Sequence, residues 1–320
     1  MRLGGRAPTR LDFGGGWTDV PPYPEERGGF VCNIAIDRYA SVTIEPVRAD
    51  AANVEMTALA AAALRYALRY ARQPGLHATI SSDFPVGSGL GGSSAAGVAL
   101  AAALAAMRGQ TMSRSELAEW SRAVETEELG IAGGRQDHYA AAYGGALGLT
   151  FGARGVEVEQ LPLSPPVASA LERECILAYT GESRISSATI TAVLDGYAQR
   201  EPRVLYALEQ MKRLAYGMRD ALVAGDIGSL AALVDEHWTH QRSLHPGIST
   251  DRIDALEAAA RKAGARGLKA LGASGGGCVI VFADAGRTEA VVQAIAPFAT
   301  VMDWHVAHDG VTVAPMNGAQ

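Results

Sequence analysis

The chain has 320 residues, 48% of them hydrophobic and 19% charged, with a net charge of −6. That composition supports a real core and excludes a disordered chain, and the length suits one two-domain unit, since single cores rarely grow past about 250–300 residues. The acidic balance argues against a nucleic-acid partner or an anionic membrane surface, which call for basic patches, yet leaves room for a small anionic ligand held by local charge.

In chain order, the segment Leu11 to Gly29 is Gly-rich. Phe30–Ile36 and Tyr39–Val47 read as two strands; in the second, Val42 and Ile44 alternate with Ser41, Thr43 and Glu45, the period of a half-buried strand. Ala58–Arg72 is Ala- and Leu-rich and reads as helix, and His77–Ser81 as strand. Ala95–Met107 is apolar on nearly every face and predicts a buried helix, too short for a bilayer, which takes about 20 residues. Ser113 with Glu116 makes a capping-box start for a helix that stops at Gly130. Strands are expected at Ala146–Phe151 and Val156–Leu161.

Pro162, Pro165 and Pro166 mark the expected boundary between domains 1–163 and 164–320. The second half opens with a strand at Cys175–Tyr179 and continues with three or four helices between Ser186 and Ala263. It closes on Gly267–Leu271, a glycine loop, Cys278–Phe282, a helix near Thr288–Ala296 and a strand near Thr300–Val306. Strands interleaved with helices in both halves predict a layered α+β protein. Three widely spaced cysteines, Cys32, Cys175 and Cys278, and an N-terminus without an apolar signal region point to reduced thiols and a cytoplasmic location.

Three motifs carry chemistry. The first is Pro85-Val-Gly-Ser-Gly-Leu-Gly-Gly-Ser-Ser94. Its glycines let backbone N–H groups converge on an anion, and the following helix points its positive end at the same place. Hydroxyls at Ser93 and Ser94 can reach phosphate oxygens or a metal. Gly87-x-Gly89-x-x-Gly92 also matches a dinucleotide fingerprint, but that fold needs an acidic residue about 20 residues on, and the chain there reaches Arg108-Gly-Gln. No Lys follows the last glycine, so the loop is not a Walker A motif. The second motif is Gly133-Gly-Arg-Gln-Asp137-His-Tyr. Asp137, beside Arg135 or Arg10, suits proton acceptance from a hydroxyl, and Glu125 upstream suits a hard oxygen ligand for Mg²⁺. Glu127 and Glu128 read as a solvated helix face. The third, Gly272-Ala-Ser-Gly-Gly-Gly-Cys278, lies between two apolar runs, as a hairpin-like connection or as backbone packed on a ligand or on the first loop. His237, His240 and His245 include an i, i+3 pair, but no HExxH occurs, and ordinary helix histidines are the favoured reading over zinc.

At these motifs the sequence resembles the GHMP kinase superfamily. The resemblance spans nearly the whole chain and implies a ribosomal-protein-S5-like N-terminal domain, a ferredoxin-like C-terminal domain, and ATP with Mg²⁺ bound between them. Within the superfamily, Ala7–Tyr23, Gly133–Gly145 and Tyr179–Arg184 are most similar to D-glycero-D-manno-heptose 7-phosphate kinases, which phosphorylate the anomeric hydroxyl. The Gly-Gly-Trp-Thr-Asp-Val-Pro-Pro stretch around Trp17 also resembles L-fucokinases. By position the resemblance makes Asp137 the catalytic Asp, Arg10 its cationic partner, and Glu125 with Ser93 or Ser94 the metal ligands. Pro85, Gly87, Ser88, Gly89, Leu90, Gly91, Gly92, Ser93 and Ser94 would bind ATP. Asp19 matches a position that bonds sugar hydroxyls. Asp12, Trp17, Thr18 and Tyr23, then Gly134, Arg135 and Asp137, then Arg184, Gly275 and Gly276 complete the expected sugar site. The expected partner is a small sugar or sugar phosphate, bound by a monomer or homodimer. A silent binding protein of the same fold and a nicotinamide-dependent enzyme are the competing classes; Asp137, Arg10 and Glu125 together disfavour the first, the missing acidic residue the second.

Overall fold

The computed structural model describes residues 2–47, 56–68, 75–182 and 187–316. Its first sheet is built on two long strands, β1 (Leu3–Gly14) and β2 (Gly29–Pro46), joined through the short helix α1 (Tyr23–Arg27). The expected pair of strands at 30–36 and 39–47 is one continuous β2, its register against β1 slipping between Pro8 and Thr9. A second irregularity falls between Asp12 and Gly14, and bulges of this kind re-aim neighbouring side chains. Helix α2 (Ala58–Leu68) and strand β3 (Leu76–Ser82) follow; the expected helical residues 69–72 lie outside the described residues. Helix α3 (Gly92–Met107) is buried from Ser94 to Ala105, as its apolar composition predicts. Helix α4 (Arg114–Ala123) begins with the Ser113–Glu116 capping box, both reciprocal bonds present. It runs into a π-turn at Val124–Glu128, then helix α5 (Gln136–Tyr143) and strands β4 (Ala146–Gly152) and β5 (Gly155–Leu161).

The second half contains α6 (Pro165–Glu174), β6 (Cys175–Tyr179), α7 (Ser187–Ala198), α8 (Pro202–Ala224), α9 (Ile227–Leu244) and α10 (Asp251–Ala263). Then come β7 (Ala265–Ala270), β8 (Cys278–Ala283), α11 (Thr288–Ile295), β9 (Thr300–Met302) and β10 (Thr312–Pro315). The last expected strand is shorter than its apolar run: β9 ends at Met302, and Val306 makes an isolated bridge to Ile36 of the first sheet.

The sheets are antiparallel throughout, in the orders β10-β1-β2-β4-β5 with β3 on β2, and β7-β8-β6-β9. Strands β1–β5 and β10 make up the first sheet and β6–β9 the second, so β10, from the expected second domain, returns to β1. Strand alternation explains how the halves join. Cys175, Leu177, Cys278, Ile280 and Phe282 face a central core shared with Leu11, Phe13, Phe30 and Ile34 of the first sheet. Ile176, Ala178, Val279 and Val281 face the other way, onto α8, α10 and α11. The three cysteines are free and buried. Among the described residues no helix is long and apolar enough to cross a membrane.

Candidate active site

Two cavities meet at Asp137. The first, about 500 Å³, lies over the glycine loop and the start of α3. Gly87, Ser88, Gly89, Gly91, Gly92, Ser93 and Ser94 line it, with the carboxylates Glu125 and Asp137 and the apolar side chains of Leu59, Ile80, Phe84 and Val86. Pro85 and Leu90 stand outside it. The Leu90 side chain is fully buried in the central core, and its carbonyl accepts the Arg10 N–H at 3.2 Å; the Pro85 carbonyl accepts the Ser88 N–H. At the start of α3, Gly91 adopts φ +76°, and a Cβ there would stand 2.9 Å from Asp137 Cγ. Only glycine lets the anion-binding loop press against that carboxylate.

The second cavity, about 260 Å³, opens on the other side of Asp137. Arg10, Asp12, Trp17, Asp19, Gly134 and Gln136 line it, with Gly272 and Ala273 of the third motif and an apolar edge from Val20 and Ile190. Arg10 and Asp12 alternate along β1 with the core residues Leu11 and Phe13, so strand period alone delivers both to this side. The Arg10 guanidinium donates from Nε (2.8 Å) and lies 2.7 Å through Nη2 from Asp137 Oδ1, while Nη1 donates to the Gly89 carbonyl at 2.6 Å. One side chain thus ties the carboxylate to the glycine loop. Asp137 stands in the first turn of α5, where the positive helix end favours a carboxylate.

Asp19 is buried and accepts the Gln136 N–H at 2.9 Å. Burial, against that bond and with the nearby charges of Asp137 and Asp12, pushes its carboxyl up to about 6. Gly134 permits this approach, since a Cβ there would overlap the Asp19 carboxylate at 2.0 Å. Glu125 sits on the π-turn, an element that recurs at functional sites. Burial pushes its carboxyl up, but His138 at 3.1 Å and the Ser93 and Ser94 hydroxyls outweigh it and hold the group below its usual value. His138 is itself oriented by the Ser121 hydroxyl, 2.9 Å from Nδ1.

Several expected residues point elsewhere. The Thr18 hydroxyl donates to the Gly15 carbonyl and the side chain is fully buried. Tyr23 packs edge-on against Tyr197 and donates to Glu209. Arg135 pairs with Glu25 at 3.4 Å and does not line the cavity; its neighbour Gln136 does. Gly275 and Gly276 lie against Ile248 and Glu182, and the loop touches the cavity through Gly272 and Ala273 instead. Arg184 lies outside the described residues. The third motif does join β7 to β8 as an antiparallel connection, and it also packs on the first loop: the Cys278 N–H donates to the Ser88 carbonyl at 2.7 Å. His237 Nε2 accepts the Gly15 N–H, burial holds the imidazole well below its usual value, and among the described residues no group of three or more His, Cys, Asp or Glu side chains gathers around it or elsewhere to hold a metal ion.

Sequence reading missed Lys269. It is fully buried and donates to the Asp12 carbonyl at 2.8 Å and to Asp12 Oδ2 at 2.9 Å. A charged residue between Leu268 and Ala270 in an apolar strand was the available signal.

The site therefore sets a carboxylate, neutralised by an arginine, between an anion-binding loop and a small polar cavity. That geometry can orient a hydroxyl toward a bound phosphate. Residues 57–145 match the GHMP kinases N terminal domain and residues 218–299 the GHMP kinases C terminal family, between them more than half of the chain. The chain is 28% identical to the D-glycero-alpha-D-manno-heptose 7-phosphate kinase of Campylobacter jejuni, across 91% of its own length and 92% of that protein. It is 26% identical to the bifunctional fucokinase/GDP-fucose pyrophosphorylase of Arabidopsis thaliana across 86% of its length, but spans only 29% of that longer protein. The crystal structure of a D-glycero-D-manno-heptose 1-phosphate kinase from Bacteroides thetaiotaomicron superposes with a TM-score of 0.80 at 26% identity, over 99% of this chain and 100% of that one. Domain matches in both halves, kinase relatives along the full length and a site of this form lead to one conclusion: the chain belongs to the GHMP kinase family and is an ATP-dependent sugar kinase within it.

Proposed function

We propose that the chain transfers the γ-phosphoryl group of ATP to the anomeric (C1) hydroxyl of a sugar, with D-glycero-D-manno-heptose 7-phosphate as the favoured acceptor and the 1,7-bisphosphate as product. The observation that carries this reading is the place of Asp137, which lines both cavities and is held by Arg10. Similarity to a heptose 7-phosphate kinase along nearly the full length of both chains supports the choice of acceptor.

In this account the glycine loop and the N-terminus of α3 receive the ATP phosphates, and the side chains of Leu59, Ile80 and Phe84 receive the apolar base. The sugar occupies the second cavity, where Asp19 accepts from one of its hydroxyls. Asp137 Oδ2, the oxygen not bonded to Arg10, orients the C1 hydroxyl and takes its proton as the sugar's C1 oxygen bonds to the γ-phosphorus and ADP departs. Arg10 offsets negative charge developing beside the loop. Glu125, held as carboxylate, and the hydroxyls of Ser93 and Ser94 form a hard oxygen set that fits Mg²⁺. When bound there, Mg²⁺ supplies charge neutralisation for the phosphate oxygens.

A free-sugar 1-kinase, of the kind the fucokinase similarity suggests, is the second reading. One observation favours it: among the described residues Arg10 is the single cationic side chain lining the sugar cavity, and it is already bonded to Asp137 and Gly89. The deciding experiment is a kinase screen over free sugars and sugar phosphates, with NMR of the product to locate the new phosphate. Heptose 7-phosphate turned over in strong preference to free heptose supports the first reading. Turnover of a free sugar with equal or greater efficiency selects the second, and a new phosphate at any carbon other than C1 overturns both.

A further inference from the structure

The Lys269–Asp12 pair is unused by the mechanism above. Lys269 belongs to β7 of the second sheet and Asp12 to β1 of the first, so the pair ties the two sheets together at a residue that lines the sugar cavity. Both side chains are buried, at 0% and 3% exposure. Such a pair is poor material for stability: two buried charges lose their hydration, and apolar residues of similar volume often serve as well or better. Its geometry suggests a different use. Lys269 holds the main-chain carbonyl and Oδ2 of Asp12, which leaves Oδ1 buried and without any partner. Burial pushes the Asp12 carboxyl up, and the charges of Lys269 and Arg10 bring it back below its usual value. A buried carboxylate oxygen left unmatched is costly, and Asp12 lines the sugar cavity. A second lining residue is in the complementary condition: Trp17, held at φ +77°, has its indole N–H buried and unpartnered.

We infer that Asp12 Oδ1 and Trp17 Nε1 form an acceptor–donor subsite for a hydroxyl-bearing ring of the sugar, and that Lys269 is the positioning residue that aims Asp12 into it. The ligand chemistry follows from the two orphan atoms. A hydroxyl donates to Asp12 Oδ1, and a sugar oxygen accepts from the indole. Gly16 allows the chain to fold over the carboxylate, since a Cβ there would stand 2.6 Å from Asp12 Oδ2. The inference rests on the sugar-kinase reading of the second cavity and adds a second recognised hydroxyl, besides the one on Asp19, together with a positioning role for Lys269.

The test compares wild type with Asp12→Asn, Lys269→Met and the neutral double variant Asp12→Asn/Lys269→Met. Each is assayed with the preferred sugar and with its monodeoxy analogues. Loss of a hydrogen bond to a charged group corresponds to about 10- to 150-fold, so the sugar KM of Asp12→Asn rises by that order while the ATP KM stays within about threefold. One monodeoxy sugar that wild type disfavours by about tenfold or more is accepted by Asp12→Asn as well as the parent sugar, because the missing hydroxyl no longer has its partner. Lys269→Met loses the same discrimination although it never touches the sugar. Should either single variant fail to fold, the double variant, with no unmatched charge, carries the same comparison. A variant that folds, turns over the sugar and discriminates among the deoxy analogues as wild type does overturns the inference. If wild type itself phosphorylates no sugar, it is the kinase reading that fails, so the two failures are distinguishable.

Discussion

Arg10→Lys separates charge from geometry at the centre of the site. The guanidinium makes two close contacts to Asp137 Oδ1, at 2.8 and 2.7 Å, and one to the Gly89 carbonyl at 2.6 Å. Its side chain is 3% exposed, so water does not replace a lost contact freely. An ammonium keeps the positive charge but presents its donors from one atom, and cannot reproduce a planar fork that joins a carboxylate to a loop carbonyl. Losing one charge-assisted bond removes about 1.5–3 kcal/mol, or about 10- to 150-fold in kcat/KM. The assay is steady-state ADP release with the preferred sugar, alongside ATP affinity by calorimetry and a melting curve to confirm the fold. The account predicts a fall of that size with ATP affinity nearly unchanged. A folded Arg10→Lys enzyme within about threefold of wild-type kcat/KM would refute the claim that the fork, and not charge alone, sets Asp137 in place.

The electrostatics of the site bear on pH dependence and on the metal requirement. Asp19, raised to about 6 from 3.8, favours the protonated form in the folded chain, so its contribution to stability is complete below pH about 3.8 and is lost as pH rises through about 6. The melting-temperature difference between wild type and Asp19→Asn therefore moves against wild type between pH 4 and 7, by the equivalent of about 3 kcal/mol. Because Asp19 as carboxylate accepts a sugar hydroxyl, kcat/KM for sugar also falls below pH about 6, and this inflection disappears in Asp19→Asn; a wild-type profile flat across that range would contradict it. Glu125→Gln keeps the shape of the proposed metal ligand and removes its charge. The Mg²⁺ concentration for half-maximal activity rises by at least about tenfold, measured by titration at fixed ATP, and an unchanged requirement would remove Glu125 from the metal site.

Legibility in the sequence followed the range of the interactions. The glycine loop, the buried helix after it and the Ser113–Glu116 capping box are written in neighbouring residues, and each was readable from spacing alone. Residues whose meaning depends on distant partners were not. Lys269 is explained only by Asp12, 257 positions away, and His138 only by Glu125 and Ser121 across a helix pair. At 135–136 the resemblance put Arg135 in the sugar site and was silent on Gln136, yet at the start of α5 it is Gln136 that lines the cavity while Arg135 pairs with Glu25. Thr18 and Tyr23 stood in the right motif, but their polar groups are bonded within the fold, to Gly15 and Glu209. Strand β10 carried no expectation at all, because four residues near a chain end acquire strand character only by pairing with β1.

The central claim is that Asp137 directs a sugar hydroxyl onto the phosphate held by the glycine loop. Its most direct test is the single-turnover rate of Asp137→Asn at saturating ATP and sugar. General-base and orienting contributions are typically about 10²- to 10⁴-fold, and the account predicts a loss in that range with ATP affinity preserved. A near-wild-type rate with intact ATP binding would contradict it.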